Sequence, residues 1–201
     1  MIRLYLITPP DGDPLPALEA ALAALPRGVA AVQLRQPGVA PRDLLARCRA
    51  LRSVCTRFGA TLLVNDRADV ALASGADGVH LPARGLSVAD ARTLGFALVG
   101  VSAHAPGDVA RAAREGADFA VFAPVYESPG KSARGLDALR EACSAGPIPV
   151  LALGGIDPSN APRCLLAGAA GVACIRSVLG SVDPAAAALR LWKSLGLAAD
   201  H

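Results

Sequence analysis

The chain has 201 residues, 53% of them hydrophobic and 18% charged, which excludes the low-hydrophobicity, high-charge regime of disorder. A formal net charge of +3 and an aromatic content of 3% exclude the basic, aromatic-studded surface of a nucleic-acid binder. No run approaches the roughly 20 apolar residues of a bilayer span, and the first residues carry no cleavage pattern, so a cytoplasmic protein without membrane or nucleic-acid partners is expected.

In chain order, a strand is predicted over 3–8 and a helix over 14–25, then a strand over 29–35 and a helix over 41–58 that opens on Pro41-Arg42-Asp43. The arginines along that helix (Arg42, Arg47, Arg49, Arg52, Arg57) read as a solvated face. Strand 61–65 and helix 66–74 follow, then strand 77–81 and helix 87–94 with Ser87 as its start signal. Next come strand 98–102 and helix 106–116, strand 118–123 and helix 135–142, and strand 148–152 with a helix over 158–167 announced by Asp157-Pro158-Ser159. Strand 171–175, a helical turn near Arg176-Ser177-Val178 and a helix over 183–196 complete the series.

One motif recurs. Gly75-Ala76-Asp77, Gly116-Ala117-Asp118 and Gly168-Ala169-Ala170 each stop an alanine-rich helix and lead into a short β-rich run. Eight short apolar strands alternating with helices are the signature of βαβ units and a buried parallel sheet. The expected fold is α/β, a (β/α)8 TIM barrel forming a single domain over 1–201. An open doubly wound sheet is the alternative, but the first βα junction reads Thr8-Pro9-Pro10-Asp11-Gly12, without G-x-G-x-x-G. Five cysteines (Cys48, Cys55, Cys143, Cys164, Cys174) form no C-x-x-C pair and are expected as reduced thiols, with Cys174 a small buried hydrophobe.

Barrel active sites are built at the C-terminal ends of the strands, and polar residues gather there: Gln33 and Arg35, Asn65 and Asp66, His80, Ser102 and His104, then Glu127, Ser128 and Lys131. Gly154-Gly155 after the seventh strand, with Ile175-Arg176-Ser177 after the eighth, predicts a phosphate site made of backbone N–H groups and a helix N-terminus. Gln33 and Arg35, two residues apart, project to one side about 7 Å apart. An arginine buried in a barrel mouth calls for an anion, either a ligand phosphate or an internal carboxylate such as Asp66. Asp66 is alternatively a Mg²⁺ ligand, since that ion takes few carboxylates plus substrate phosphates, while Asp69 reads as helix surface. Lys131 sits in a glycine- and proline-containing loop able to close over a ligand. His104 is either an exposed loop histidine or a proton-transfer group, and His80 is either packed or functional.

The segments Val32-Gln33-Leu34-Arg35, Leu63 to Ala71 (LVNDRADVA), Ala76 to Leu81 (ADGVHL), Gly100 to His104 (GVSAH), Pro124-Val125-Tyr126 and Leu153 to Ile156 (LGGI) resemble, in this order and spacing, the thiamin-phosphate synthase/TenI family. The resemblance covers nearly the whole chain and implies a (β/α)8 fold with ligands from thiamin biosynthesis. The synthase branch couples hydroxymethylpyrimidine pyrophosphate to a thiazole phosphate and releases pyrophosphate with Mg²⁺ assistance; TenI members bind thiazole phosphate, and some are tautomerases. The resemblance places Gln33, Arg35 and Asn65 at pyrimidine-pyrophosphate positions, Asp66 at Mg²⁺ and Lys131 at the pyrophosphate. It places Ser128, Gly155 and Ile175–Ser177 around the thiazole phosphate.

The departures are specific. Gln36-Pro37 stands where synthases usually carry an acid and a lysine, and Gly85 where they carry a second Mg²⁺ aspartate, with Arg84 beside it. Tyr126-Glu127-Ser128 replaces a Pro-Thr pair, and Pro124 stands where tautomerases place a histidine. The resulting expectation is a TenI-like thiazole tautomerase acting on a phosphorylated thiazole, with His104 or Glu127 moving the proton, no organic cofactor, and Mg²⁺ only weakly held. The alternatives are a Mg²⁺-dependent thiamin-phosphate synthase and a non-catalytic thiazole-phosphate-binding regulator. A homo-oligomer stays open, because apolar helix faces cover a barrel or a partner copy equally well.

Overall fold

The computed structural model describes residues 2–196; residues 1 and 197–201 of the predicted domain lie outside the described residues. Each short apolar run becomes a strand buried on both faces, against the barrel interior on one side and a helix on the other, so its pattern is continuous rather than alternating. The strands are β1 (Leu4–Ile7), β2 (Ala30–Leu34), β3 (Thr61–Asn65), β4 (Gly78–Leu81), β5 (Leu98–Ala103), β6 (Phe119–Phe122), β7 (Val150–Ala152) and β8 (Gly171–Cys174). They pair in parallel in sequence order, and β8 closes onto β1 through Leu4↔Val172 and Tyr5↔Ala173. The predicted (β/α)8 barrel is the observed fold.

The helices are α1 (Leu15–Ala23), α2 (Pro41–Phe58), α3 (Ala68–Ser74), α4 (Val88–Thr93), α5 (Pro106–Arg114), α6 (Gly135–Ser144), α7 (Ala161–Leu166), α8 (Arg176–Leu179) and α9 (Pro184–Ser194). Ser87 caps α4 in a reciprocal box: its Oγ accepts from Asp90 N at 3.1 Å, and Asp90 Oδ2 accepts from Ser87 N at 3.3 Å. The start signal at Asp157 behaves differently. Asp157 Oδ1 accepts from Ser159 N (2.7 Å) and Ser159 Oγ (2.6 Å), which makes a local turn, and α7 begins three residues later than predicted. No helix among the described residues is long and apolar enough to cross a membrane. All five cysteines are free, and burial pushes the Cys174 thiol up to about 12, in keeping with a packing role.

Two apolar layers follow from strand alternation. Leu4, Leu6, Val32, Leu62 and Val64 face the helices, while Tyr5, Ile7, Ala31, Leu63, Phe119, Val121, Leu151 and Ala173 fill the barrel. Gly100 makes room inside: a Cβ there would stand 2.3 Å from Phe119 Cζ. The Phe119 ring in turn packs edge-on against Tyr5, with centroids 5.5 Å apart at 87°.

The recurrent Gly-Ala-Asp motif works at the N-terminal ends of the strands. Asp77 Oδ2 accepts from Leu62 N (2.7 Å) and Arg52 Nη1 (2.6 Å), tying the start of β3 to α2. Asp118 Oδ2 repeats this with Val99 N (2.6 Å) and Arg92 Nη2 (2.8 Å). In the third copy alanine replaces the aspartate, and the Ala170 carbonyl accepts from Arg3 Nη1 at 2.8 Å. Arg52 is therefore a structural partner rather than a member of a purely solvated face. Asp77→Ala strands both the Leu62 N–H and the guanidinium. It is expected to cost about 1–3 kcal/mol, read as a lower urea midpoint with an unchanged m-value.

Candidate functional site

The loops after β6, β7 and β8 enclose a cavity of about 310 Å³ lined by Pro124, Glu127, Ser128, Lys131, Gly154, Gly155 and Ile175 to Ser177, with Cys174 at its base. Gly154 (φ +102°) and Gly155 (φ +64°) both hold left-handed backbone. A Cβ on Gly154 would meet Pro124 Cβ at 2.6 Å, and one on Gly155 would meet the Glu127 carbonyl at 2.6 Å. The glycine pair is thus demanded by the packing of the β7 loop under the β6 loop, not by an anion alone. Its consequence for a ligand is indirect but favourable: the Gly154 and Gly155 N–H groups bond no protein acceptor among the described residues. The opening turn of α8 leaves further N–H groups without intrahelical partners. Several backbone donors without protein acceptors therefore belong to residues that line one cavity, an arrangement that suits a phosphate. Gly155→Ala keeps the side chain small but forces a strained φ and a clash with the Glu127 carbonyl, at a cost of order 1–3 kcal/mol. A rise of about tenfold or more in the Kd for inorganic phosphate is expected by titration calorimetry.

The segment carrying Lys131 is a tight turn rather than an open lid. Ser128 N donates to Lys131 O (3.2 Å) and Lys131 N to Ser128 O (2.8 Å), around Pro129 and Gly130 with φ +74°. Lys131 is exposed and has no carboxylate within ion-pair distance among the described residues. Glu127 also lines the cavity. His104 does not: its Nδ1 is 2.9 Å from the Ala123 carbonyl and its backbone N donates to Asp108 Oδ2 at 2.9 Å. A carbonyl only accepts, so Nδ1 carries the proton, and the histidine braces the end of β6 beside the cavity instead of lining it.

Across the mouth, Gln33 (2% exposed) and His80 (2% exposed) are buried in the barrel, and Ser102 is half-buried. His80 is pushed down to about 3, first by burial and then by the Arg35 charge, and is a neutral imidazole. Arg35 departs from expectation. β2 ends at Leu34, the Arg35 side chain is exposed, and its charge therefore requires no buried counter-ion. Its backbone is pinned by Thr8, a fully buried residue that the sequence did not single out: Thr8 Oγ1 accepts from Arg35 N (2.8 Å) and donates to Arg35 O (3.3 Å). Gln36 is also structural, donating to the Gly12 carbonyl (2.9 Å) and accepting from Arg47 Nη1 (2.7 Å).

Asn65 closes β3, and the exposed Asp66 beside it is the one non-glycine with positive φ (+65°) among the described residues, a strained setting of the kind found at ligand sites. Asp66 N donates to the His80 carbonyl at 2.9 Å, which fixes the loop against β4. A Cβ on Gly85 would stand 2.9 Å from Asp66 Oδ1. The β4 loop therefore brings position 85 to the carboxylate but supplies no second one. Among the described residues no three His, Cys, Asp or Glu side chains gather as a metal group. These residues build no protein-only cation cage; a lone carboxylate suits only an ion held chiefly by substrate phosphates.

Closed eightfold parallel pairing with a cavity at the C-terminal strand ends defines the class: a (β/α)8 barrel whose candidate site lies in the βα loops. A family model described as thiamine monophosphate synthase matches residues 4–178. A putative thiamine-phosphate synthase of Geobacter sulfurreducens is 48% identical over 191 residues, covering 90% of this chain and 88% of that protein. The thiamine-phosphate synthase of Gloeobacter violaceus is 41% identical over 90% of this chain but only 54% of its own length. The solved thiamine phosphate pyrophosphorylase from Pyrococcus furiosus superposes with a TM-score of 0.89 at 30% identity, covering 97% and 96% of the two chains. The chain belongs to the thiamine monophosphate synthase (TMP-TENI) family. These relatives carry the name of the synthase, which favours the reading held as the alternative from sequence over the tautomerase reading.

Proposed function

We propose that the protein is a thiamine-phosphate synthase: the thiazole nitrogen forms a bond to the pyrimidine methylene carbon as the bond from that carbon to pyrophosphate oxygen breaks. The observation that carries this reading is the pairing of two separate polar regions at one barrel mouth. One is the cavity of Gly154, Gly155, Ser128 and Ser177, with backbone donors for a thiazole phosphate. The other is the set Gln33, Arg35, Asn65, His80 and Ser102, and Lys131 lines the first cavity. Asp66 would hold Mg²⁺ together with the substrate's phosphates, and the ion when bound neutralises charge on the leaving group. Lys131 and Arg35 are exposed cations without carboxylate partners among the described residues, which leaves their charge for a pyrophosphate.

A tautomerase needs one phosphate site and a proton-transfer group in the cavity. Glu127 is the titratable acid there, and His104 is turned toward Ala123. A synthase must hold both ligands together. Titration of thiazole phosphate into protein saturated with Mg²⁺ and pyrophosphate is expected to give one equivalent bound without displacement of pyrophosphate. Strict competition between the two would overturn the two-site reading and leave the tautomerase or a non-catalytic binder.

A further inference from the structure

A chain of hydrogen bonds crosses the barrel interior. Gln33 Nε2 donates to Tyr5 Oη at 3.1 Å, Tyr5 Oη lies 3.4 Å from His80 Nδ1, and His80 Nε2 lies 3.0 Å from Ser102 Oγ. Tyr5 is fully buried, with Phe119 closing its flank. Its oxygen accepts from the Gln33 amide, and its own proton has one acceptor in reach, His80 Nδ1. Nδ1 is then unprotonated, and the neutral ring carries its proton on Nε2. That proton goes to Ser102 Oγ, so the Ser102 hydroxyl proton has to point away from the ring and is left for another acceptor. Gln33 Oε1 makes no hydrogen bond to the protein, and no buried side-chain N or O among the described residues lacks a partner. Gln33 Oε1 therefore keeps open surface.

We propose that Tyr5 is a positioning residue that relays the orientation of the Gln33 amide to His80, so that the mouth presents Ser102 as a hydrogen-bond donor and Gln33 Oε1 as an acceptor. The inference rests on the reading of this region as a substrate subsite. The reversed chain, from the Ser102 hydroxyl through His80 to the Gln33 carbonyl, makes the same number of bonds but needs the Gln33 amide turned over. The two directions select opposite ligands. In the first, a ring nitrogen or carbonyl meets Ser102; in the second, only an N–H or O–H does, and a mismatch leaves a desolvated polar group unpaired.

The test is the ¹⁵N spectrum of histidine-labelled free protein, with His80 assigned by the signals lost in His80→Gln. The expected result is protonated Nε2 and bare Nδ1 in the wild type. Tyr5→Phe is expected to give a mixture of the two tautomers. The same variant is expected to raise KM for hydroxymethylpyrimidine pyrophosphate about tenfold, with KM for thiazole phosphate unchanged. A purely structural role for Tyr5 would instead lower Tm and shift neither tautomer nor the ratio of the two KM values, and that result would overturn the proposal. So would protonated Nδ1 in the wild type. The spectrum is recorded without substrate, so it decides the matter even if turnover is absent, which would count against the synthase reading alone.

Discussion

Lys131→Ala is expected to lower kcat by about 10²–10³-fold, equivalent to about 2.7–4 kcal/mol of transition-state stabilisation. Charge builds on the pyrophosphate oxygen as its bond to carbon breaks, and an ammonium at the rim is worth more to that state than to the ground state. The tight Ser128–Lys131 turn holds the lysine at the cavity without an internal carboxylate to neutralise it. In the proposed arrangement thiazole phosphate also draws on backbone donors at Gly154, Gly155 and α8 in the cavity that Lys131 lines, so its Kd is expected to change less than kcat. Two departures sharpen the dependence on Lys131. Pro37 supplies no second lysine, and Gly85 supplies no second carboxylate for a cation. Lys131→Arg, which keeps the charge but not the shape, is expected to recover part of the loss. Steady-state kinetics with both substrates varied separates these effects, and equal losses in kcat and thiazole-phosphate affinity would argue against the assignment.

Acid is expected to destabilise the protein through His80. Burial first, and the Arg35 charge second, hold the folded imidazole at about 3, whereas the unfolded side chain titrates near 6.5. Between those values the unfolded chain binds a proton that the folded state refuses, so stability rises with pH across the window and falls as pH is lowered through it. Each pH unit inside the window costs about 1.4 kcal/mol, and going from pH 7 to pH 5 removes about 2 kcal/mol. The stability is fully present above the unfolded value, and the loss levels off near the folded one. Urea midpoints at several pH values for wild type and His80→Gln measure this directly. The variant is expected to lose the slope that His80 contributes. Parallel pH profiles would show that His80 is not the group responsible.

Much of the architecture was legible because barrel strands and helix stops leave local signals. Gly75, Gly116 and Gly168 all adopt positive φ where the sequence placed helix ends. The residues now lining the cavity, Gly154, Gly155 and Ile175 to Ser177, were identified by their position one βα unit apart. What local pattern cannot show is which side chains meet across the barrel. Tyr5 stands in an apolar strand and reads as core; its partners Gln33 and His80 lie 28 and 75 residues away. Alternation alone would have turned Tyr5 inward with Ile7, but not given it hydrogen bonds. The predicted strand 29–35 implies a buried charge at Arg35, but β2 ends at Leu34 and releases the side chain to solvent. His104 followed a strand end, as a catalytic histidine often does, yet the Ala123 carbonyl claims its Nδ1.

The account stands most directly on one assay: purified protein, hydroxymethylpyrimidine pyrophosphate, thiazole phosphate and Mg²⁺, with thiamine phosphate and pyrophosphate measured together over time. The synthase reading predicts that both products appear in equal amounts and that omitting either substrate stops them. Failure to form thiamine phosphate by a protein that still binds thiazole phosphate would contradict it.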